Sequence, residues 1–201
     1  MLSLSEGEYA VTLARRAVER YLEDGTRIVA RQVPEALKEK LGVFVTLKRF
    51  PSNELRGCIG FPVPYAPLAD GIVEAAIAAA TEDPRFLPVE KDELDGLVFE
   101  VSVLTKPEEI KCAKPADIAK EIKVGRDGLI IQAGYNSGLL LPQVPVEHGW
   151  DSEEFLAQTC WKAGLPPDSW LKPGVSIYRF QAQIFAEESP RGRVVEEKLP
   201  G

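Results

Sequence analysis

The 201-residue sequence has one histidine (His148), one methionine and two asparagines, and its cysteines, Cys58, Cys112 and Cys160, stand far apart with no Cys-x-x-Cys pair. A single histidine removes most imidazole-based acid–base schemes and most metal sites that use imidazole, and the cysteine spacing fits neither a zinc knuckle nor a disulfide framework. No metal is expected, and the sequence leaves the cofactor open. The longest apolar run, around Ala75–Ala80, falls far short of the roughly 20 residues that a membrane-spanning helix needs. The N-terminal Met1-Leu2-Ser3-Leu4-Ser5-Glu6 has neither a basic region nor a cleavage pattern, so no secretory signal is read there and a cytoplasmic protein is expected. The glycine-rich phosphate loop, the dinucleotide fingerprint, the hydrolase elbow and the paired-histidine zinc motif are all missing. Nucleotide-driven enzymes and the common hydrolases are thereby disfavoured.

Positive charge is also in short supply. Twenty-four basic residues against 31 acidic ones leave a net charge of −7, without the global field that drives non-specific nucleic-acid binding. Lysine is concentrated at Lys106, Lys111, Lys114, Lys120 and Lys123, but Glu108, Glu109, Asp117 and Glu121 interleave with it. Such mixing marks a solvated face rather than a nucleic-acid footprint. Sixteen prolines beside so little asparagine and methionine point to a heat-adapted source.

What is present reads as mixed helix and strand. Ser5 and Glu8 have capping-box spacing ahead of Ala10, Leu13, Ala14, Ala17, Val18 and Tyr21, a helical stripe that Asp24-Gly25 stops. Residues 42–47 read as a buried strand, 50–54 as a turn, and the strand carrying Arg56 and Cys58 as the return arm of an antiparallel hairpin. An alanine-rich helix follows over 68–81, then a strand over 97–104 and a short helix over 115–122. Strands at 128–132 and 139–141 are joined by a turn over 134–138. Asp151 and Glu154 again have capping-box spacing, Gly164 and Pro166 close that helix, and a late strand runs over 174–185. The segment 187–201 is expected to be a flexible charged tail. With a hairpin and no strict βαβ rhythm, the fold class expected is α+β, with mixed or antiparallel sheets and flanking helices.

Chemistry concentrates in Leu55-Arg56-Gly57-Cys58-Ile59-Gly60. Strand alternation puts Arg56, Cys58 and Gly60 on one side. An arginine two residues from a thiol on one face favours the reactive thiolate, and Gly57 and Gly60 leave room for a partner strand or a ligand. Arg85, between the turn at Asp83-Pro84 and the ring of Phe86, is a second arginine that could complete an anion clamp. Gln143 follows a strand that runs into Pro142 and Pro145, and would present its amide at the strand end. His148 is a candidate base for Cys58, although a lone histidine in a loop before a helix is usually a surface residue. Trp150 reads as a staple beside the Asp151 cap, and Cys160 as core.

Together these segments resemble the AMMECR domain family (the AMME chromosomal region protein family), whose signature is the Leu55–Gly60 hexapeptide. The likeness also takes in 42–47, Asp83-Pro84-Arg85-Phe86, 100–104, 141–144, Gly149-Trp150-Asp151 and Lys162-Ala163-Gly164. It spans nearly the whole chain. The resemblance implies one domain over 1–201 built of two lobes, the larger holding both termini, and a site at the hexapeptide with Arg56 and Cys58. It also implies an association with Memo-like or radical-SAM proteins and a role in modifying a nucleic acid such as RNA or another macromolecule; His148 is outside the family pattern. Two readings stay open: an enzyme or enzyme subunit using Cys58 and Arg56 with Gly57, Gly60, Arg85 and Gln143 around the substrate, or a binding module whose groove holds a partner protein or peptide.

Overall fold

The structure, a computed structural model, describes residues 1–197. These divide into two compact units, Met1–Leu104 with Gln183–Glu197, and Thr105–Ala182. Strands and helices are mixed and every registered strand pair is antiparallel, so the α+β class expected from the sequence is found.

The first unit opens with helix α1 (Leu4–Asp24). Its capping box is Ser3 with Glu6, two residues before the pair expected from the sequence: Ser3 N donates to Glu6 Oε2 at 2.7 Å, and Glu6 N to Ser3 Oγ. Both pairs have the required spacing, and the tie-breaker is Leu2. It is buried and held by Gln183, whose carboxamide accepts from its N–H and donates to its carbonyl, both at 2.8 Å. Gly25, at φ 74°, ends the helix in the left-handed region where a side chain would be strained. Strands β1 (Gly42–Arg49) and β2 (Leu55–Phe61) form the expected hairpin, with Thr46 opposite Cys58. Strand β3 (Leu97–Leu104) pairs along the other side of β1, which leaves β2 at the edge.

Helix α2 (Leu68–Thr81) covers one face of this hairpin. Its alanines are buried almost throughout, and their small side chains let the helix backbone approach the strands closely. At Gly57 the approach is closest: a Cβ there would lie 2.1 Å from the Ala79 carbonyl oxygen. Val43, Val45, Leu47, Phe99 and Val101 fill this face of the sheet.

The second unit contains β4 (Glu108–Glu109), α3 (Ile118–Glu121), β5 (Asp127–Ala133), β6 (Asn136–Leu140), α4 (Gln143–His148), α5 (Ser152–Lys162) and most of β7 (Ser176–Glu187). β5 pairs with both β6 and β7, and Phe155, Leu156 and Cys160 of α5 pack with Leu129, Ile131 and Ile177. Two features differ from expectation. The β5–β6 turn is only Gly134-Tyr135, with Gly134 at φ 58°, so the strand begins at Asn136. The segment after Leu141 forms α4 rather than a loop, because Pro142 and Pro145 fall at its cap and first turn, where the missing N–H costs nothing.

From Gln183 onward β7 belongs to the first unit, where β8 (Val194–Glu197) pairs with it. The expectation of a frayed tail from residue 187 is therefore corrected up to Glu197, and its last four residues lie outside the described ones. The reason is Glu187. Its carboxylate takes the Arg15 guanidinium at 2.6 and 2.5 Å and the Phe99 N–H at 3.0 Å, while Arg15 also donates to the carbonyls of Leu94 and Leu97. Both side chains are buried, so removing either would strand a charge, at a cost of about 3–5 kcal/mol. Among the described residues no helix is long and apolar enough to cross a membrane.

The contact at Gly57 makes the first prediction. Gly57→Ala sets a methyl group against backbone that has no rotamer to yield, so it is expected to lower unfolding free energy by about 3 kcal/mol; urea denaturation measures it, and a loss below about 0.5 kcal/mol contradicts the contact.

Candidate functional site

Arg56 and Cys58 do not share a face as alternation predicts. Leu47 pairs with Gly57, but Lys48 pairs with Leu55, so Arg56 is the extra residue of a β-bulge and the pattern breaks there. Every nitrogen of its guanidinium is engaged. Nε and Nη2 donate to the Glu93 carboxylate at 2.9 and 2.7 Å, Nη1 to the Leu87 carbonyl at 2.9 Å, and Nη2 to that of Pro88 at 3.3 Å. With its side chain only 7% exposed, Arg56 anchors the segment 87–93 to β2. The Arg56 bond holds the Glu93 carboxyl far below its usual range, at about 2.

The segment Asp83–Phe86 closes the free edge of β2. Asp83, buried in the turn that follows helix α2, accepts from the backbone N–H of Cys58 at 2.8 Å. It also accepts from Arg85 N at 3.1 Å, Nε at 2.9 Å and Nη2 at 2.7 Å. Arg85 Nη2 in turn donates to the Cys58 carbonyl at 3.4 Å. A carboxylate for the N–H and a guanidinium for the carbonyl thus satisfy an edge that would otherwise invite another strand. Mainly through the Arg85 bond, the Asp83 carboxyl titrates at about 2.

Cys58 itself is half-buried. Burial pushes its thiol up; the Thr46 hydroxyl, which donates to Sγ at 3.3 Å, and the charge of Arg85 pull the other way, while Glu100 and Asp83 add to the rise. The expectation of a thiolate activated by Arg56 is corrected on both counts: the thiol is the resting form, and the cation that acts on it is Arg85.

Directly across β1 from Cys58 stands Thr46, and directly across from Thr46 on β3 stands Glu100. Residues opposite each other on neighbouring strands share a face, so these three form one row on the side away from α2. Lys48, two residues along β1, donates to Glu100 Oε2 at 2.5 Å. Glu100 is only 5% exposed and Thr46 8%. Near them burial, and then the charge of Glu100, raises the Glu197 carboxyl.

The glycines are spent on the fold. Gly57 faces the Ala79 carbonyl, and a Cβ at Gly60 would fall 2.3 Å from the Phe44 ring, so neither opens space for a ligand as expected. Arg56 and Arg85 do meet at Phe86, with their guanidinium carbons 6.0 and 5.5 Å from its ring centre. They line an open hollow of about 640 Å³ with Arg49, Phe86 and Glu93, and Cys58 is not among its lining residues. Each arginine already carries its own carboxylate, so the expected anion clamp is neutralised.

Gln143 begins α4 in the second unit, with Oε1 buried and without a hydrogen-bond partner among the described residues. His148 is exposed and stacks on Trp150 with ring centres 4.6 Å apart. Cys160 is core, as expected. Among the described residues no group of three or more His, Cys, Asp or Glu is arranged to hold a metal ion.

Sequence pattern alone does not single out Thr46, Lys48, Glu100, Asp83 or Glu93. A signal exists for the first three: polar residues alternate along 98–102 and 44–48, and a three-stranded register would have set them beside Cys58. Asp83 and Glu93 act across 25 and 37 residues of sequence, and no local pattern announces that.

The AMMECR1 family model matches residues 11–185 of this chain. Protein MJ0810 of Methanocaldococcus jannaschii is 58% identical over 199 residues, covering 99% of this chain and 98% of that one. A protein of Thermococcus gammatolerans is 59% identical over 197 residues, 96% of each chain. The crystal structure of the uncharacterized protein PH0010 from Pyrococcus horikoshii aligns with a TM-score of 0.91 at 56% identity, over 97% of this chain and 98% of that one.

Two expected outcomes follow from the charges. Glu93 and Asp83 both titrate near 2 in the folded chain but near 4 when unfolded. Their stabilisation, roughly 2–3 kcal/mol each, is complete above about pH 5 and is lost progressively as pH falls toward and through 2. Urea midpoints from pH 5 to 2 should fall steeply for the wild type and less for Glu93→Gln or Asp83→Asn; equal slopes would contradict these pairings. Iodoacetamide labelling of Cys58, read by peptide mass spectrometry, should give an apparent pKa above the ~8.5 of a free thiol. Glu100→Gln should lower it and Arg85→Gln raise it, and the reverse order would refute the charge assignment.

Proposed function

The chain belongs to the AMMECR1 family, and from that premise we propose that it works as an enzyme or enzyme subunit in the modification of a macromolecule, RNA being one candidate. Its reacting centre is the row of Cys58, Thr46 and Glu100 with Lys48. One observation carries this reading: a buried carboxylate, paired with a half-buried ammonium beside it, shares a cross-strand row with a thiol and a hydroxyl. A fold gains little from such a pair, because well-packed apolar side chains in its place are commonly neutral or stabilising. The α2 side of the same strands is built in that apolar way. Retained polar groups in one row are what proton transfer to and from a bound substrate requires.

In this reading Cys58 and Thr46 meet the substrate, Glu100 accepts or returns a proton, and Lys48 holds that carboxylate in position through its hydrogen bond. Arg56 and Arg85 are positioning residues, one through the bulge and the other through the edge of β2. Gln143 is a further substrate contact, proposed on its unpartnered carboxamide oxygen alone. Partners of the Memo-like or radical-SAM kind belong to the same proposal. With a net charge of −7, an anionic macromolecule would be gripped through local contacts rather than a long-range field.

A resting thiol and two arginines already matched by carboxylates favour a second reading, a module that binds without reacting. Native protein should be isolated with whatever it carries, that molecule identified by mass spectrometry, and the molecule returned to wild type and variants. Chemical change by the wild type, slowed at least about 100-fold by Glu100→Gln, is the outcome expected. Tight binding without any chemical change, equal in Cys58→Ser, would select the binding module instead.

A further inference from the structure

The chain has twelve arginines, all within the described residues. Eight of them, Arg15, Arg20, Arg49, Arg56, Arg85, Arg126, Arg179 and Arg191, are ion-paired. Of the four without an ion pair among the described residues, Arg16, Arg27 and Arg31 line one groove of about 630 Å³, between helix α1 and the segment 26–31. Glu8 is the one carboxylate in that lining. A protein with seven more acidic than basic charges has gathered three of these four guanidinium groups in one place.

The segment beside them is unusual in a second way. Side chains of residues 27–31 alternate as in a strand, with Arg27, Val29 and Arg31 exposed and Ile28 and Ala30 half-buried against the core. Val29 is 80% exposed. No partner strand lies there: Thr26 N is taken by Asp24 and the Arg31 carbonyl by the Tyr9 hydroxyl, and the backbone groups of 27–30 make no hydrogen bond among the described ones. Unpaired backbone in strand-like alternation is a template for an added strand.

We infer that this groove docks an extended acidic peptide segment of a partner protein, paired to the backbone of 27–30 with its carboxylates on Arg16, Arg27 and Arg31. A peptide supplies both donors and acceptors to unpaired N–H and carbonyl groups, and a small apolar side chain to cover Val29. A nucleic-acid strand has no backbone N–H groups spaced to match the carbonyls of a strand, and the overall acidity of the chain repels a long polyanion. The inference stands apart from the proposed function, since none of these residues belongs to the Cys58 row.

The test is fluorescence anisotropy on the full chain with three rhodamine-labelled probes: the octapeptide Ser-Glu-Thr-Val-Thr-Glu-Ser-Thr, whose two glutamates and valine fall on one face of a strand, its counterpart with lysine in place of glutamate, and an oligouridylate 12-mer. The glutamate peptide should bind, weaken with added salt, and lose about tenfold in affinity in the triple variant Arg16→Gln/Arg27→Gln/Arg31→Gln. Arg193→Gln should leave binding unchanged. Val29→Glu, at an exposed position, should weaken binding comparably, and it carries the test if the triple variant does not fold. Absence of peptide binding, equal binding by the lysine peptide, insensitivity to these substitutions, or tighter binding of the oligonucleotide would each overturn the inference.

Discussion

Helix α2 rests on strand β2 with the Ala79 carbonyl where a side chain of residue 57 would stand. That approach needs a glycine in the strand and alanines along the helix, and the sequence supplies both. It commits one face of the β1–β2 hairpin and β3 to hydrocarbon. Polar side chains of the same strands are then driven to the other face, where register brings Cys58, Thr46 and Glu100 into line. The turn that ends α2 carries Asp83 and Arg85 to the edge of β2, so the helix also closes the strand it covers.

Three buried or edge-closing ion pairs brace the first unit. Glu187 answers Arg15, Glu93 answers Arg56, and Asp83 answers Arg85, each through two oxygens or two nitrogens. Bidentate geometry makes such pairs rigid as well as strong. The arginine of the hexapeptide is therefore tied into the frame through Glu93 and the carbonyls of Leu87 and Pro88. Lys48 and Glu100 form a pair of another kind, half-exposed ammonium against buried carboxylate, beside groups able to exchange protons with a ligand.

Much of the frame is legible in the sequence because local rules decide it. Residues 50–54 make a turn between two apolar runs, and the hairpin follows; alanines over 68–81 announce a tightly packed helix. Where two local solutions are equally good, the sequence is silent: Ser3-x-x-Glu6 and Ser5-x-x-Glu8 both fit a helix start, and the distant Gln183 chooses between them by holding Leu2. Pro142 and Pro145 read as breakers because their places at a helix cap cannot be known before the helix is. At the site, the hexapeptide is visible but its geometry is not. One extra residue in β2 turns Arg56 away from the face of Cys58, and the need for it becomes apparent only with the β1 register and with Glu93 in place. Glu100 is legible as one of a polar series along β3, and its meaning appears once the three strands are aligned.

The most direct measurement is a crystal structure of the protein with the molecule it carries in the cell. The account predicts that molecule within about 4 Å of Cys58 Sγ and of the Glu100 carboxylate, with the Arg56–Glu93 and Asp83–Arg85 pairs intact. A ligand seated elsewhere, with the row of Cys58, Thr46 and Glu100 untouched, would contradict it.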